Sequence, residues 1–187
     1  MIGAVGAAYY SAYAASKFGI RALGECLRQE IEVLDKAKHI HICTVMPATI
    51  DTPFFHHAAN YTGRSVNAMP PVYPVEQAAK TMVRLAQRPQ REVFVGNAAR
   101  MISFLHTFAP ALTEPMMAKQ VDKTDFKPEP ALSTSGDVFE PLPTGTGISD
   151  GWQGGPRTVT RSAIGGGVAV AASALLVWSW VRSRNGH

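Results

Sequence analysis

The chain has 187 residues, 46% of them hydrophobic and 17% charged, which is enough for one ordinary domain with appendages. A formal net charge of +4 without any dense Lys/Arg patch leaves no footprint for a nucleic-acid backbone, so no nucleic-acid partner is expected. Two cysteines, Cys26 and Cys43, form no CxxC or metal-ligand spacing and read as reduced thiols.

The opening stretch, MIGAVGAAYYSAY, has neither a basic n-region nor a clean apolar h-region and does not read as a signal peptide. From Ser11 to Lys36 the pattern predicts a long helix. Ile20, Leu23, Leu27, Ile31 and Leu34 repeat at three and four residues, while Arg21, Glu25, Arg28 and Glu32 fall largely on other faces. Tyr13 and Lys17 lie four residues apart on that helix, on one face and within reach of each other. A phenol with a pKa near 10 is a poor acid or base at neutral pH. A neighbouring ammonium favours the phenolate, which makes proton exchange with an alcohol or ketone feasible. On spacing alone, a pair of surface side chains is the simpler account.

The run His39–Met46 predicts a strand that ends at Pro47 and feeds the turn Pro47-Ala48-Thr49-Ile50-Asp51-Thr52. Pro74 to Gln87 predicts a second helix, opened by Pro74 and Glu76 and closed before Pro89. Glu92–Val95 is a brief strand stopped by Gly96, and Ala98–Met117, broken at Pro110, reads as two short helices. Helix, strand, loop, helix, strand is the rhythm of a parallel α/β sheet.

Four zones are expected: a globular part over 1–118, a Pro/Gly/Ser-rich flexible linker over 119–162, an apolar segment over 163–181 and a tail over 182–187. The third, AIGGGVAVAASALLVWSWV, carries no charge, has arginines on both flanks and places Trp178 and Trp180 near its C-terminal end. At 1.5 Å per residue it reaches roughly 28 Å, about the hydrocarbon thickness of a bilayer. It is expected to be a single-pass tail anchor, a membrane partner for a globular part that faces the cytoplasm; a buried core helix is the alternative.

AYAASKFGIRALGECLRQE, followed by a strand and the Pro47–Thr52 turn, closely resembles the short-chain dehydrogenase/reductase (SDR) family, whose YxASK helix leads through a strand to a P-G-x-V-x-T turn. The resemblance covers roughly residues 1–100. It implies an α/β fold, the C-terminal half of a Rossmann-like doubly wound parallel sheet, and an NAD- or NADP-dependent oxidoreductase acting on an alcohol or carbonyl substrate. By the same resemblance Tyr13 is the proton donor or acceptor, and Lys17 holds the nicotinamide ribose hydroxyls and lowers the tyrosine's pKa. Ile50 and Thr52 would then meet the nicotinamide carboxamide, and Tyr13 and Pro47 also count among the cofactor-binding residues. Ala48 departs from the usual Gly, a change that restricts the turn without abolishing it. The family's substrate Ser, its Gly-rich phosphate loop, its relay Asn and its first strands would all lie upstream of Met1. The chain is therefore expected to be N-terminally truncated and inactive by itself.

Residues 53–61, PFFHHAANY, stand where the family carries a mobile lid, and their aromatic residues suggest an apolar substrate, with plain packing an equal account. Gly145-Thr146-Gly147 with Gly151 lacks the strand and helix that a dinucleotide loop needs and reads as linker. His56-His57 and His39-x-His41 lack a carboxylate or Cys at ligand spacing, so no metal is expected. Asn60-Tyr61-Thr62 matches a glycosylation sequon that a cytosolic domain would leave unmodified. Two alternatives stay open. One is a non-catalytic, tail-anchored protein using this fold remnant as an interaction surface, since in the family the Tyr13 helix often builds a homodimer interface. The other lays Ala98–Met117 on a membrane through Phe104, Leu105, Phe108 and Leu112.

Overall fold

A computed structural model describes residues 2–152; the expected membrane segment 163–181 and the tail lie outside the described residues. The fold is mixed α/β with small sheets. In chain order the elements are α1 (Ser11–Val33), β1 (Thr44–Pro47), β2 (Thr49–Ile50), α2 (Phe54–His57), β3 (Arg64–Val66), β4 (Val72–Tyr73), α3 (Val75–Gln87), β5 (Glu92–Val95), α4 (Asn97–Phe108), α5 (Pro110–Thr124) and β6 (Phe126–Pro130). β1 pairs with β5 in parallel, Thr44 opposite Glu92 and Pro47 opposite Val95. β2 pairs with β4 in parallel, and β3 with β6 antiparallel. The parallel pairs agree with the α/β expectation and with part of a Rossmann-like sheet. The predicted strand His39–Met46 is shorter than expected, because β5 offers partners only to Thr44–Pro47.

α1 ends at Val33, three residues before the expected end. The Lys36 N–H donates to the Ile31 carbonyl and the Asp35 N–H to that of Glu32, the double closure of a Schellman motif, with Asp35 at φ 53° where Gly is usual. The expected apolar stripe of α1 is not what holds it to β1 and β5. Ile20, Leu23 and Leu34 are 56%, 57% and 66% exposed, while the buried helix positions are Ala14 and Gly24. A Cβ on Gly24 would stand 3.0 Å from Thr44 Oγ1, so the missing side chain lets helix and strand approach closely without displacing Thr44. Polar anchors add to this contact: the Arg21 guanidinium forks onto both Glu92 oxygens at 2.9 and 3.0 Å, and Arg28 Nη1 donates to Ile42 O and Thr44 Oγ1, each at 3.2 Å.

α3 runs as expected from the end of Pro74 and buries Ala78, Thr81 and Leu85 at helical spacing. The break at Pro110 divides α4 from α5, where proline takes the first helical position. The flexible linker expected from 119 is corrected over the described residues. α5 continues to Thr124, and β6 pairs with β3, Arg64 opposite Pro130 and Val66 opposite Phe126. Val121 and Phe126 enter a core cluster with Val5, Met69 and Met117. Proline and glycine make a stretch poor at forming its own structure, but they do not prevent it from using partners that other segments present. Here those partners are the edge of β3 and, further on, the side chain of Asp51.

Candidate active site

Tyr13 and Lys17 sit in the first two turns of α1, and the four-residue spacing brings them together. Lys17 Nζ lies over the Tyr13 ring, 5.1 Å from its centroid. The Tyr13 ring also meets Phe54 of α2 at 5.4 Å between centroids, and Tyr10 at 6.4 Å. Ser16 Oγ caps the turn locally by donating to the Tyr13 carbonyl at 2.7 Å. Burial pushes the Tyr13 phenol above its ordinary pKa. Burial is the cause of that rise, and Lys17 stands over the face of the ring.

The turn after β1 is built by backbone pairing that the sequence pattern did not reveal. Ala48 N–H donates to Val95 O at 2.8 Å, Thr49 and Ile50 form β2 against β4, and Asp51 N–H donates to Tyr73 O at 2.9 Å. Gly96 makes this approach possible. Its φ is 96°, and a Cβ there would lie 2.6 Å from the Tyr73 ring. The result brings Pro47, Ile50 and Thr52 to the mouth of the same space that Tyr13 and Lys17 face. All five predicted residues line one cavity of about 440 Å³, whose walls include Met46, Phe54, Phe55 and Met69. A second cavity of about 450 Å³, between the C-terminal half of α1 and Ile40–Cys43, is lined by none of the five.

Three residues of the site carried no role in the sequence reading. Asp51 is 5% exposed and accepts from Ser149 Oγ at 2.7 Å and from the N–H groups of Asp150 and Trp152 at 3.1 Å each. Those contacts draw residues 149–152 back over α2, where Trp152 meets Phe55 at 5.8 Å, His56 Nε2 faces Asp150 Oδ1 at 2.8 Å and His57 Nε2 faces Gly145 O at 3.0 Å. Gly145, expected as linker, thus packs against α2 with residues 149–152. Tyr10 and Asp125 also line the 440 Å³ cavity. Tyr10 Oη donates to Asp125 Oδ2 at 3.1 Å, and Thr124 Oγ1 to Asp125 Oδ1 at 3.2 Å. Burial pushes the Asp125 carboxyl up to about 6 despite both donors. Burial and then the adjacent carboxylate raise the Tyr10 phenol as well. No sequence signal joins Tyr10 to a residue 115 positions later in a Pro-rich region; only the fold does.

Among known proteins, the chain is similar to the uncharacterized oxidoreductase YxnA of Bacillus subtilis, 29% identical over 120 residues that cover 64% of this chain and 33% of that protein. It is 28% identical over 132 residues to dehydrogenase/reductase SDR family member 7B of Danio rerio, covering 68% and 41% of the two chains. With dehydrogenase/reductase SDR family member 7C of Rattus norvegicus it shares 32% identity over 114 residues, covering 57% and 35%. No protein-family model matches the chain, and no solved structure matches it significantly. The relatives are thus oxidoreductases, among them named SDR family members, and this chain spans between 33% and 41% of the three just described.

Proposed function

We propose that this chain carries the proton-transfer end of the active site of an SDR-type, NAD- or NADP-dependent oxidoreductase acting on an alcohol or carbonyl substrate. The observation that carries the proposal is the convergence of Tyr13, Lys17, Pro47, Ile50 and Thr52 on one cavity of about 440 Å³. The oxidoreductase names of the relatives point the same way.

The cavity's chemistry fits the nicotinamide-ribose end of such a cofactor. It has a flat apolar wall at Pro47 and Ile50 and an ammonium at Lys17, while its other basic side chain, Arg21, is committed to Glu92. Lys17 would hold the ribose hydroxyls, and Pro47, Ile50 and Thr52 the carboxamide edge. When bound, the cofactor supplies or accepts hydride. Tyr13 handles the proton. Its raised pKa keeps the phenol protonated at neutral pH, so in this arrangement it donates Oη–H to a carbonyl oxygen. Acting as base toward an alcohol requires Lys17 to move from the ring face toward the hydroxyl, where its charge would favour the phenolate. Phe54 and Phe55 would flank the reacting oxygen as apolar wall, and Asp51 holds residues 149–152 against α2. The test is turnover in the protein that contains this chain: Tyr13→Phe should abolish alcohol oxidation and ketone reduction, and normal turnover in that variant would refute the role.

A second reading, a non-catalytic interaction module, is favoured by the exposed apolar stripe of α1 at Ile20 and Leu23. Sedimentation equilibrium of Leu23→Glu distinguishes it, since loss of self-association with turnover intact separates the two roles. We also propose, from the uncharged segment 163–181, that this segment anchors the chain in a membrane with the globular part cytoplasmic. Among the described residues no helix is long and apolar enough to cross a membrane. Carbonate extraction of the whole chain tests the anchor, and release into the soluble fraction overturns it.

A further inference from the structure

We infer that Asp125, positioned by Tyr10, forms a second polar subsite of the Tyr13 cavity, one that accepts a hydrogen bond from a hydroxyl or ammonium group on an otherwise apolar substrate. The inference rests on the proposed reading of that cavity as the substrate site and names the class of substrate it takes.

Three observations carry it. Asp125 lies at the end of α5, is only 3% exposed, and yet lines the cavity that Tyr13 faces. A carboxylate offers about four acceptor sites. Among the described residues two hydroxyls approach it, Tyr10 Oη and Thr124 Oγ1, the latter shared with the Gln120 carbonyl at 2.8 Å, so capacity remains toward the cavity. Finally, the carboxyl is not needed where it stands for helix capping. The capping bonds of Asp125 are made by its backbone, whose N–H donates to Val121 O at 2.9 Å and whose carbonyl accepts from Asn67 N at 2.7 Å. A buried acid with no donor beyond two hydroxyls among the described residues is a costly feature in an apolar wall. A substrate group that donates to it would offset that cost on binding.

The lining also sets the class of ligand. Tyr10, which holds Asp125, and Tyr13 stand edge to face with ring centroids 6.4 Å apart, and both line the cavity with Asp125. Ile50, Phe54, Phe55 and Met69 line the same cavity as apolar wall. The substrate is therefore a carbonyl or alcohol at one end, hydrocarbon in the middle, and a hydrogen-bond donor at the other end.

The experiment is isothermal titration calorimetry of the full chain with 2-octanone, its 8-hydroxy derivative and its 8-amino derivative. A hydrogen bond to a charged acceptor is expected to make at least one of the two derivatives about tenfold tighter than the parent ketone. If the amine is the tighter, the donor is an ammonium; if the hydroxyl, a neutral alcohol; either order supports the subsite. In Asp125→Leu the preference should fall below about twofold. Should that variant fold poorly, Tyr10→Phe provides the complementary measurement. It leaves the carboxylate in place, frees Oδ2, and should retain or increase the preference. Equal binding of all three ligands to the unmodified chain overturns the Asp125 subsite while leaving the Tyr13 cavity as a ketone site. Binding of none of them overturns the substrate-site reading itself, and this inference with it.

Discussion

Lys17 carries its ammonium over the face of the Tyr13 ring, 5.1 Å from the centroid, one helical turn after the tyrosine it accompanies. That position stabilises the ring by a cation–π contact worth roughly 0.5–2 kcal/mol. Burial raises the pKa of the phenol. In the protein that contains this chain, Tyr13→Phe should remove turnover while leaving cofactor affinity nearly intact, because only the proton path is lost. Lys17→Ala should weaken both. Steady-state rates together with nicotinamide fluorescence titration separate the two effects, and weakened cofactor binding in Tyr13→Phe would contradict the division of labour.

For the 187-residue chain studied alone, titration with NADH or NADPH should show no saturable micromolar binding. In the proposed reading the cavity serves the nicotinamide-ribose end; its described lining has a single glycine, Gly3, and its cations are Lys17, assigned to the ribose, and Arg21, paired with Glu92, which leaves none for a diphosphate. Saturation in the micromolar range would mean that the remaining contacts suffice.

Asp125 sets a pH dependence of stability whose sign follows from its raised pKa. The folded carboxyl titrates near 6 against an ordinary value of 3.8. Below 3.8 both states hold the proton and the group contributes nothing. Between 3.8 and about 6 the folded state alone keeps it, so stability falls as pH rises, and above 6 the loss is complete. At about 1.4 kcal/mol per pKa unit the total is roughly 2–3 kcal/mol. Tyr10 and Thr124 face the carboxyl directly, and Asp122 on the same helix is engaged by Arg64 and Tyr9. Urea denaturation from pH 4 to 7.5 should therefore show Asp125→Asn gaining on the unmodified protein by about that amount as pH rises. A difference that is flat in pH would remove Asp125 as the titrating group.

Asp51→Ala should free residues 149–152. It removes the acceptor for one hydroxyl and two backbone N–H groups, at roughly 1.5–3 kcal/mol for bonds to a charged group. Hydrogen exchange at Asp150 and Trp152 should accelerate by about tenfold or more, while amides of β5 remain protected. Unchanged exchange at those two positions would mean that another contact holds residues 149–152 over α2.

Asp35→Gly should stabilise the protein by about 0.5–1 kcal/mol. The C-terminal closure of α1 places Asp35 at φ 53°, a conformation that glycine adopts without a Cβ penalty. Thermal melts would register a modest upward shift, and a lower midpoint would show that the aspartate side chain contributes more than its backbone costs.

The elements with their own periodicity were legible in the sequence. The spacing of Tyr13 and Lys17 placed them on one helical face, Pro74 and Pro89 bracketed α3, and Pro110 divided α4 from α5, because each of these depends on backbone rules acting within a few residues. Long-range pairing was decided by the tertiary structure. The stripe of Ile20, Leu23 and Leu34 suggested the wrong buried face for α1, since Gly24 and two arginines make the close contact with β1 and β5. Residues 119–152 read as linker because their composition offers little apolar surface of its own. Their order comes from partners far away in the chain: the edge of β3 for β6, and Asp51 for residues 149–152. Composition reports what a segment can bury by itself, whereas hydrogen-bond acceptors and strand edges contributed by residues many positions distant exist only once the chain has folded. For that reason Tyr13 could be named from its neighbours four residues on, and Asp125, 115 residues from Tyr10, could not.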